Sequence, residues 1–299
     1  MRRTMFSRRW LPGVAGGLAA LLGAAGCGRS GADAAGEKHY ALRGEILAVD
    51  PVRKVASVHH EAIAGLMPAM AMEYPVSAGD AATLRAGEHI RADLVADAPG
   101  HFRLTQIWPD EAASNAAIAA GARALREDTH DRGDGVYREV GETMPDFTLY
   151  DQDGRVVSSA RFRGKQIMLN FIFTRCPNAD MCPASTAKMA QTQRLAREAG
   201  ITDLELVSIS LDPTYDTPGV LQEYASVRGI DTGNFSFLTG PESAVRDILT
   251  QFGVIDDFQG DLTKHTLATL LIAPDGKIIS RADGSQWDPA DFVKRMHRP

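Results

Sequence analysis

Three cysteines in 299 residues are too few for a disulfide-stapled miniprotein, and a chain that is 44% hydrophobic has no need of staples. That length and composition suit about two domains with cores of their own. Basic residues are outnumbered, 32 Lys and Arg against 38 Asp and Glu, and beyond the first ten residues no basic tract appears, which argues against nucleic acid as a partner. Long apolar runs are missing too. The one candidate, "LPGVAGGLAALLGAAG", is too short and too rich in glycine for a good membrane span. Internal repeats and low-complexity tracts are absent.

What is present at the start is the layout of an export signal: basic "MRRTMFSRRW", the apolar small-residue run, then Cys27. "AAGC" resembles the bacterial lipobox, and the resemblance implies that residues 1–27 are a lipoprotein-type signal ending at Cys27, the lipidated residue. Ala24 stands where leucine is usual. A plain secretory signal cut nearby is the alternative, and both routes export the protein. Removing residues 1–26 takes away four arginines and no acid, moving the formal charge from −6 to −10. The expected location is the periplasmic face of a membrane.

Small polar residues at 28–38 read as a flexible tether. Over 39–109, five strand-like pieces ("YALRGEILAVD", "KVASVHH", "AMAMEYPV", "EHIRADLVAD", "HFRLTQIW") separated by Gly, Pro and Asp turns predict a small all-β barrel without a helix. Residues 110–139 read as a helical linker, alanine-rich from 110 to 128, followed by a hinge at "THDRGDG". From 140 to 299 strands alternate with helices and finish in a hairpin at "APDG", the pattern of a layered α/β domain with a mixed sheet. The order of elements resembles thioredoxin-like domains.

Two cysteines fall in "FIFTRCPNADMCPAS", residues 171–185, six positions apart after an apolar strand. Taken alone, the pair admits a passive disulfide, a redox exchanger or part of a metal site. Pro183 and Gly200 bracket a helix, which puts Cys182 at its N-terminus. There the helix dipole is expected to favour thiolate, the form that attacks disulfides and binds metals.

"FTRCPNADMCP", "SLDPTYDTP" at 210–218 and "TKHTLATLLIAPDGK" at 263–277 together resemble the Sco/SenC family of copper chaperones for cytochrome oxidase assembly, over about residues 140–299. The resemblance implies copper held by Cys176, Cys182 and His265, and it places Asp212 and Asp216 near that site. Five residues separate the cysteines here where three are usual. No proline lies between Pro241 and Pro274, where thioredoxin-like redox enzymes usually carry a cis-proline. Two thiolates and an imidazole suit Cu(I), and a site open on one face also accepts Cu(II). Zinc would want a fourth protein ligand in a closed site.

"VHHEAIAGLMPAMAMEYPV", residues 58–76, gathers two histidines and three methionines. On a strand, Met70 and Met72 point to one face, and of His59 and His60 only one joins them. Thioethers carry no proton and prefer soft monovalent ions; methionines filling a small core are the plain alternative. The stretch resembles the CusF-like periplasmic copper-binding domain, a small OB-like β-barrel, over about 39–109. That likeness implies His60, Met70 and Met72 as ligands, with Met67 as a third sulfur or a shield where the family's best-known form has tryptophan.

Together the resemblances imply a multi-domain, exported copper metallochaperone: an N-terminal CusF-like barrel and a C-terminal thioredoxin-like domain. Its partners would be an apo-copper protein such as a cytochrome oxidase subunit, a thiol reductant of the cysteine pair, and a membrane through the lipid anchor. A thiol–disulfide oxidoreductase or thiol peroxidase using Cys176 and Cys182 as a redox-active pair is the enzymatic alternative, and a copper buffer for metal resistance is another.

Overall fold

The structure is a computed structural model that describes residues 37–98, 100–133, 135–254 and 266–296. Cys27 and His265 lie outside the described residues, as do the signal region and all but the last two residues of the stretch read as a tether.

The N-terminal part is a five-stranded antiparallel sheet: β1 (Lys38–Asp50), β2 (Val55–His60), β3 (Met70–Pro75), β4 (His89–Ala98) and β5 (His101–Pro109). Their order is β3-β2-β1-β4-β5, with the outer strands unpaired to each other. The closed barrel expected from the sequence is therefore corrected to an open sheet. The outer strands β3, only six residues long, and β5 approach one another without exchanging ladder hydrogen bonds, so the sheet curls over its core but keeps two edges. The sheet's inner face buries Leu42, Ile46, Val58, Tyr74, Ile90, Leu94 and Leu104 as a separate core. A short helix, α1 (Ala78–Thr83), follows β3 where none was expected. Ser77 caps it, accepting from the Asp80 backbone N–H at 3.0 Å while its own hydroxyl donates to the Asp80 carboxylate at 2.7 Å.

Helix α2 (Ala112–Arg132) takes in the alanine-rich stretch and runs on through residues 129–132, the first four of the segment read as a hinge. Its end is tied down. Asp128 accepts from Arg138 at 2.5 Å and from Gln251 at 2.8 Å, and Arg126 pairs with Asp247 at 3.1 Å. Gly121 lets this helix approach the strand beneath it, because a Cβ there would sit 2.5 Å from the Thr148 Cβ.

The C-terminal part adds β6 (Thr148–Asp151), β7 (Val156–Ser158), β8 (Gln166–Ile172), α3 (Cys182–Glu198), β9 (Leu204–Ser210), α4 (Pro218–Val227), β10 (Phe235–Thr239), α5 (Glu242–Gln251), β11 (Ala268–Ile272), β12 (Ile278–Asp283) and α6 (Pro289–Arg295). The seven strands form one mixed sheet in the order β12-β11-β8-β9-β10-β6-β7. β8 and β9 are parallel and buried at every position, so the polar residues they carry among the apolar ones need partners inside the domain. Asn170 on β8 donates to Ser185 at 2.9 Å and accepts from Ser208 at 2.6 Å, so a satisfied polar link joins the central strands to the first turn of α3.

Candidate metal centres

The cysteine pair sits where β8 gives way to α3. Cys176 lies in the connecting loop, partly exposed, with its thiol 3.7 Å from the Asn178 carbonyl. Cys182 is the first residue of α3, fully buried against the apolar core, and Pro183 follows it in the first turn. Both are thiols. The expectation that the helix start would make Cys182 a thiolate is corrected here. Burial pushes its thiol well above the ordinary range, a hydrogen bond with the Phe173 backbone only partly offsets this, and neighbouring Cys176 and Asp216 push it further up. Loss of water around the sulfur is the largest cause of that rise.

The loop between β9 and α4 clamps the segment that carries Cys176. Asp216, buried, accepts from the Thr174 backbone N–H at 3.1 Å, the Thr174 hydroxyl at 2.5 Å and the Ser210 hydroxyl at 2.6 Å. Its carboxyl is raised to about 6 by burial despite those three donors. Asp212 accepts from Arg175 Nε at 2.6 Å, and the same guanidinium lies over the Tyr215 ring at 4.7 Å. Thr174 and Arg175, the two residues before Cys176, are thus each held by one aspartate. Beside the pair, a cavity of about 440 Å³ is bordered by Met181, Gly253, Thr266, Arg281 and Asp283. Thr266 on its border is the first described residue after His265.

In the N-terminal sheet, β2 and β3 pair so that His60 faces Met70 and Val58 faces Met72. His60 is fully buried on the inner face while His59 is exposed, so the alternation singles out His60. Its Nδ1 lies 2.7 Å from the Glu61 carbonyl, and its Nε2 is buried with no hydrogen-bond partner in the structure. Met70 is exposed at the rim and Met72 is half-buried against the core. Met67, at the turn facing Ile63, accepts a long contact from the Tyr74 hydroxyl, 3.9 Å to its sulfur. An imidazole fixed at Nδ1, with Nε2 unpartnered and thioethers on the neighbouring strand, is a donor set suited to a soft cation.

Two supporting features escaped sequence reasoning. Gly44 on β1 faces His60, and a Cβ there would lie 2.6 Å from the His59 carbonyl oxygen and 2.9 Å from the His60 Cα. The His60 end of β2 can approach β1 only because that position is glycine. Tyr74, fully buried, sets its ring 6.0 Å from the His60 imidazole. A Gly inside the strand-like piece "YALRGEILAVD" was the available signal for the first; the second had none.

A mixed sheet layered with helices, carrying a cysteine pair at the junction of a central strand and the next helix, defines a thioredoxin-like protein. Residues 136–298, more than half the chain, match the SCO1/SenC family model, and residues 39–109 match that of the copper binding periplasmic protein CusF. The SCO1 protein homolog of Bacillus subtilis is 32% identical over 151 residues, 49% of this chain and 77% of the relative. A SCO2-like protein of Rickettsia typhi is 33% identical over 148 residues, 47% and 68% of the two chains. A SCO1/SenC family lipoprotein from Bacillus anthracis is similar in structure, with 26% identity, coverage of 53% of this chain and 96% of that one, and a TM-score of 0.47. The chain belongs to the SCO1/SenC family, and it carries in addition a region similar to CusF. Among the described residues no helix is long and apolar enough to cross a membrane.

Proposed function

We propose that this protein is an exported copper metallochaperone that takes up Cu(I) at His60, Met70 and Met72, holds copper at Cys176, Cys182 and His265, and delivers it to an apo-copper protein. The client in this reading is the copper-bearing subunit of a cytochrome oxidase, and Cys27 carries a lipid anchor at the periplasmic face of the membrane. The observation that carries it is the coexistence, in one chain, of two soft donor sets: an unpartnered buried imidazole nitrogen beside thioethers, and a cysteine pair in a SCO1/SenC domain. Cu(I) binding displaces the thiol protons, which offsets the burial that keeps Cys182 protonated. Transfer proceeds by stepwise exchange of sulfur ligands. A reductant must first keep the pair as thiols, because a disulfide offers no thiolate to the metal. Met67 is a shield over the sheet's site, since its sulfur is already engaged by Tyr74.

Titration of the reduced mature protein with Cu(I) tests this: two equivalents in the parent, one in Cys176→Ala and one in His60→Ala. Absence of binding, with rapid turnover as a disulfide reductase, would replace it with the oxidoreductase reading. That second reading draws on the unequal exposure of the two thiols, with Cys176 reachable and Cys182 buried, the arrangement of an attacking and a resolving cysteine.

A further inference from the structure

Helix α4 touches three things at once. Its first turn packs on α1 of the N-terminal sheet domain so tightly that a Cβ on Gly79 would lie 1.8 Å from the Gly219 carbonyl oxygen, and one on Gly219 would lie 2.0 Å from Asp80 Oδ1. The Gly79 N–H also donates to Glu223 at 3.3 Å. Immediately before its cap, Thr217, stands Asp216, the carboxylate that holds Thr174 two residues ahead of Cys176. Further along, Tyr224 shares a buried 2.9 Å hydroxyl–hydroxyl bond with Thr186 in the first turns of α3, the helix that begins at Cys182. The loop that leads into α4 is flanked by the sheet domain on both sides. Tyr215 faces Pro75, Ser77 and Arg103 across one cleft, and Pro213 and Thr214 face Trp108 across another.

We infer that the N-terminal sheet domain, docked on α4, is a positioning element for the cysteine pair as well as a metal-binding module in its own right. The inference rests on the reading of Cys176 and Cys182 as the working site. Asp216 and Tyr224 each grip one of the two cysteine-bearing segments, and both belong to the stretch on which the sheet domain bears. Glycine at 79 and 219 is what permits backbone-to-backbone approach, so the brace is stiff: packed interiors transmit small displacements rather than absorb them. Lifting α1 off α4 frees Pro218 and Gly219, and with them the loop whose aspartates clamp Thr174 and Arg175. The cysteine spacing then loosens although no residue of the pair has changed.

The test uses the full mature chain with Gly79→Val, read by three measurements: Cu(I) affinity of the cysteine pair by competition with a chromogenic chelator, the iodoacetamide alkylation rate of Cys176 in the reduced apo protein, and Ag(I) binding at His60 as a control for the sheet domain. Expected are about tenfold weaker Cu(I) binding at the cysteines and about tenfold faster alkylation, with the His60 site intact, a coupling of the size interdomain contacts carry. Unchanged cysteine values in Gly79→Val and in the double variant Gly79→Val/Gly219→Val overturn the inference. If the His60 site is lost because the sheet domain unfolds, Gly219→Ala crowds the same contact from the α4 side with the sheet domain's own sequence intact, and unchanged alkylation in that variant overturns the inference equally. A parent that binds no Cu(I) at the cysteines defeats the proposed function instead, while the alkylation comparison still decides the brace.

Discussion

His60 and Met70 stand opposite each other on adjacent antiparallel strands, the imidazole fully buried and the thioether at the exposed rim. The pairing puts an imidazole inside the sheet and a thioether at its mouth, so in the proposed function a cation arriving from solvent meets sulfur before nitrogen.

Replacing His60 by leucine separates the metal reading from the core-filling one. The variant removes a buried nitrogen that has no partner but also the Nδ1 contact with the Glu61 carbonyl, so the apo protein should stay within about 1 kcal/mol of the parent. With both thiols changed to serine, Ag(I) should raise the melting temperature of the parent sheet domain and leave the His60→Leu variant unmoved. Thermal melts with and without Ag(I) check it, and an equal rise in both would reject His60 as a ligand.

Gly44→Ala should disturb the same site without touching a ligand. The new methyl group would press on the His59 carbonyl and the His60 backbone, at a cost of about 1–3 kcal/mol. We expect Cu(I) affinity at the sheet domain to fall while the cysteine pair binds as before, measured by competition titration.

Asp216→Ala leaves the Thr174 N–H, the Thr174 hydroxyl and the Ser210 hydroxyl without their acceptor. Unmaking such bonds to a carboxylate costs on the order of 2–4 kcal/mol. Urea unfolding should show the loss, and the Cys176 thiol should be alkylated faster at urea concentrations where the variant is still folded.

Asp80 gives a pH signature at the docked face. Burial raises its carboxyl from 3.8 to about 6, against hydrogen bonds from Ser77 and with help from Glu223. A raised carboxyl favours folding while it is protonated, so its contribution is complete below pH 3.8 and is lost as pH rises through 6. Asp80→Asn escapes that loss. Its melting temperature should match the parent's near pH 4 and exceed it above pH 6.5, by up to about 3 kcal/mol in stability. Equal melting at pH 7.5 would show that the carboxylate is not desolvated there.

Much of the architecture was legible in the sequence because hydrophobic period and turn residues coincide. The five strands of the N-terminal part lie where Gly, Pro and Asp divide them, and Pro183, Pro218 and Pro289 sit at helix starts as their missing N–H allows. Strand alternation showed that only one of His59 and His60 could face the methionines; the resemblance pointed to His60, and the β2–β3 register puts it on their face. Sheet closure was not legible, since it depends on whether two strands far apart in sequence, β3 and β5, hydrogen-bond where they meet. Nor was the protonation of Cys182, which follows from tertiary burial that local position at a helix start cannot report. The α1 helix was hidden in "SAGDAATL", where Ser77 as a cap was the only sign. Asp212 and Asp216 were visible as neighbours of the site, but their hold on Arg175 and Thr174 needed three-dimensional contacts between residues about forty positions apart.

The Gly79–Gly219 contact also bears on how such a chain can change over generations. Two modules joined by a loose string can be shuffled, duplicated or exchanged for distant cousins at little cost. Here one glycine on each surface lets the other come close, so a replacement for either half that carried a side chain at that position would bring it into a space with no room for one. Exchanging one half for a relative's would therefore require glycine to be kept at that single position of the incoming piece.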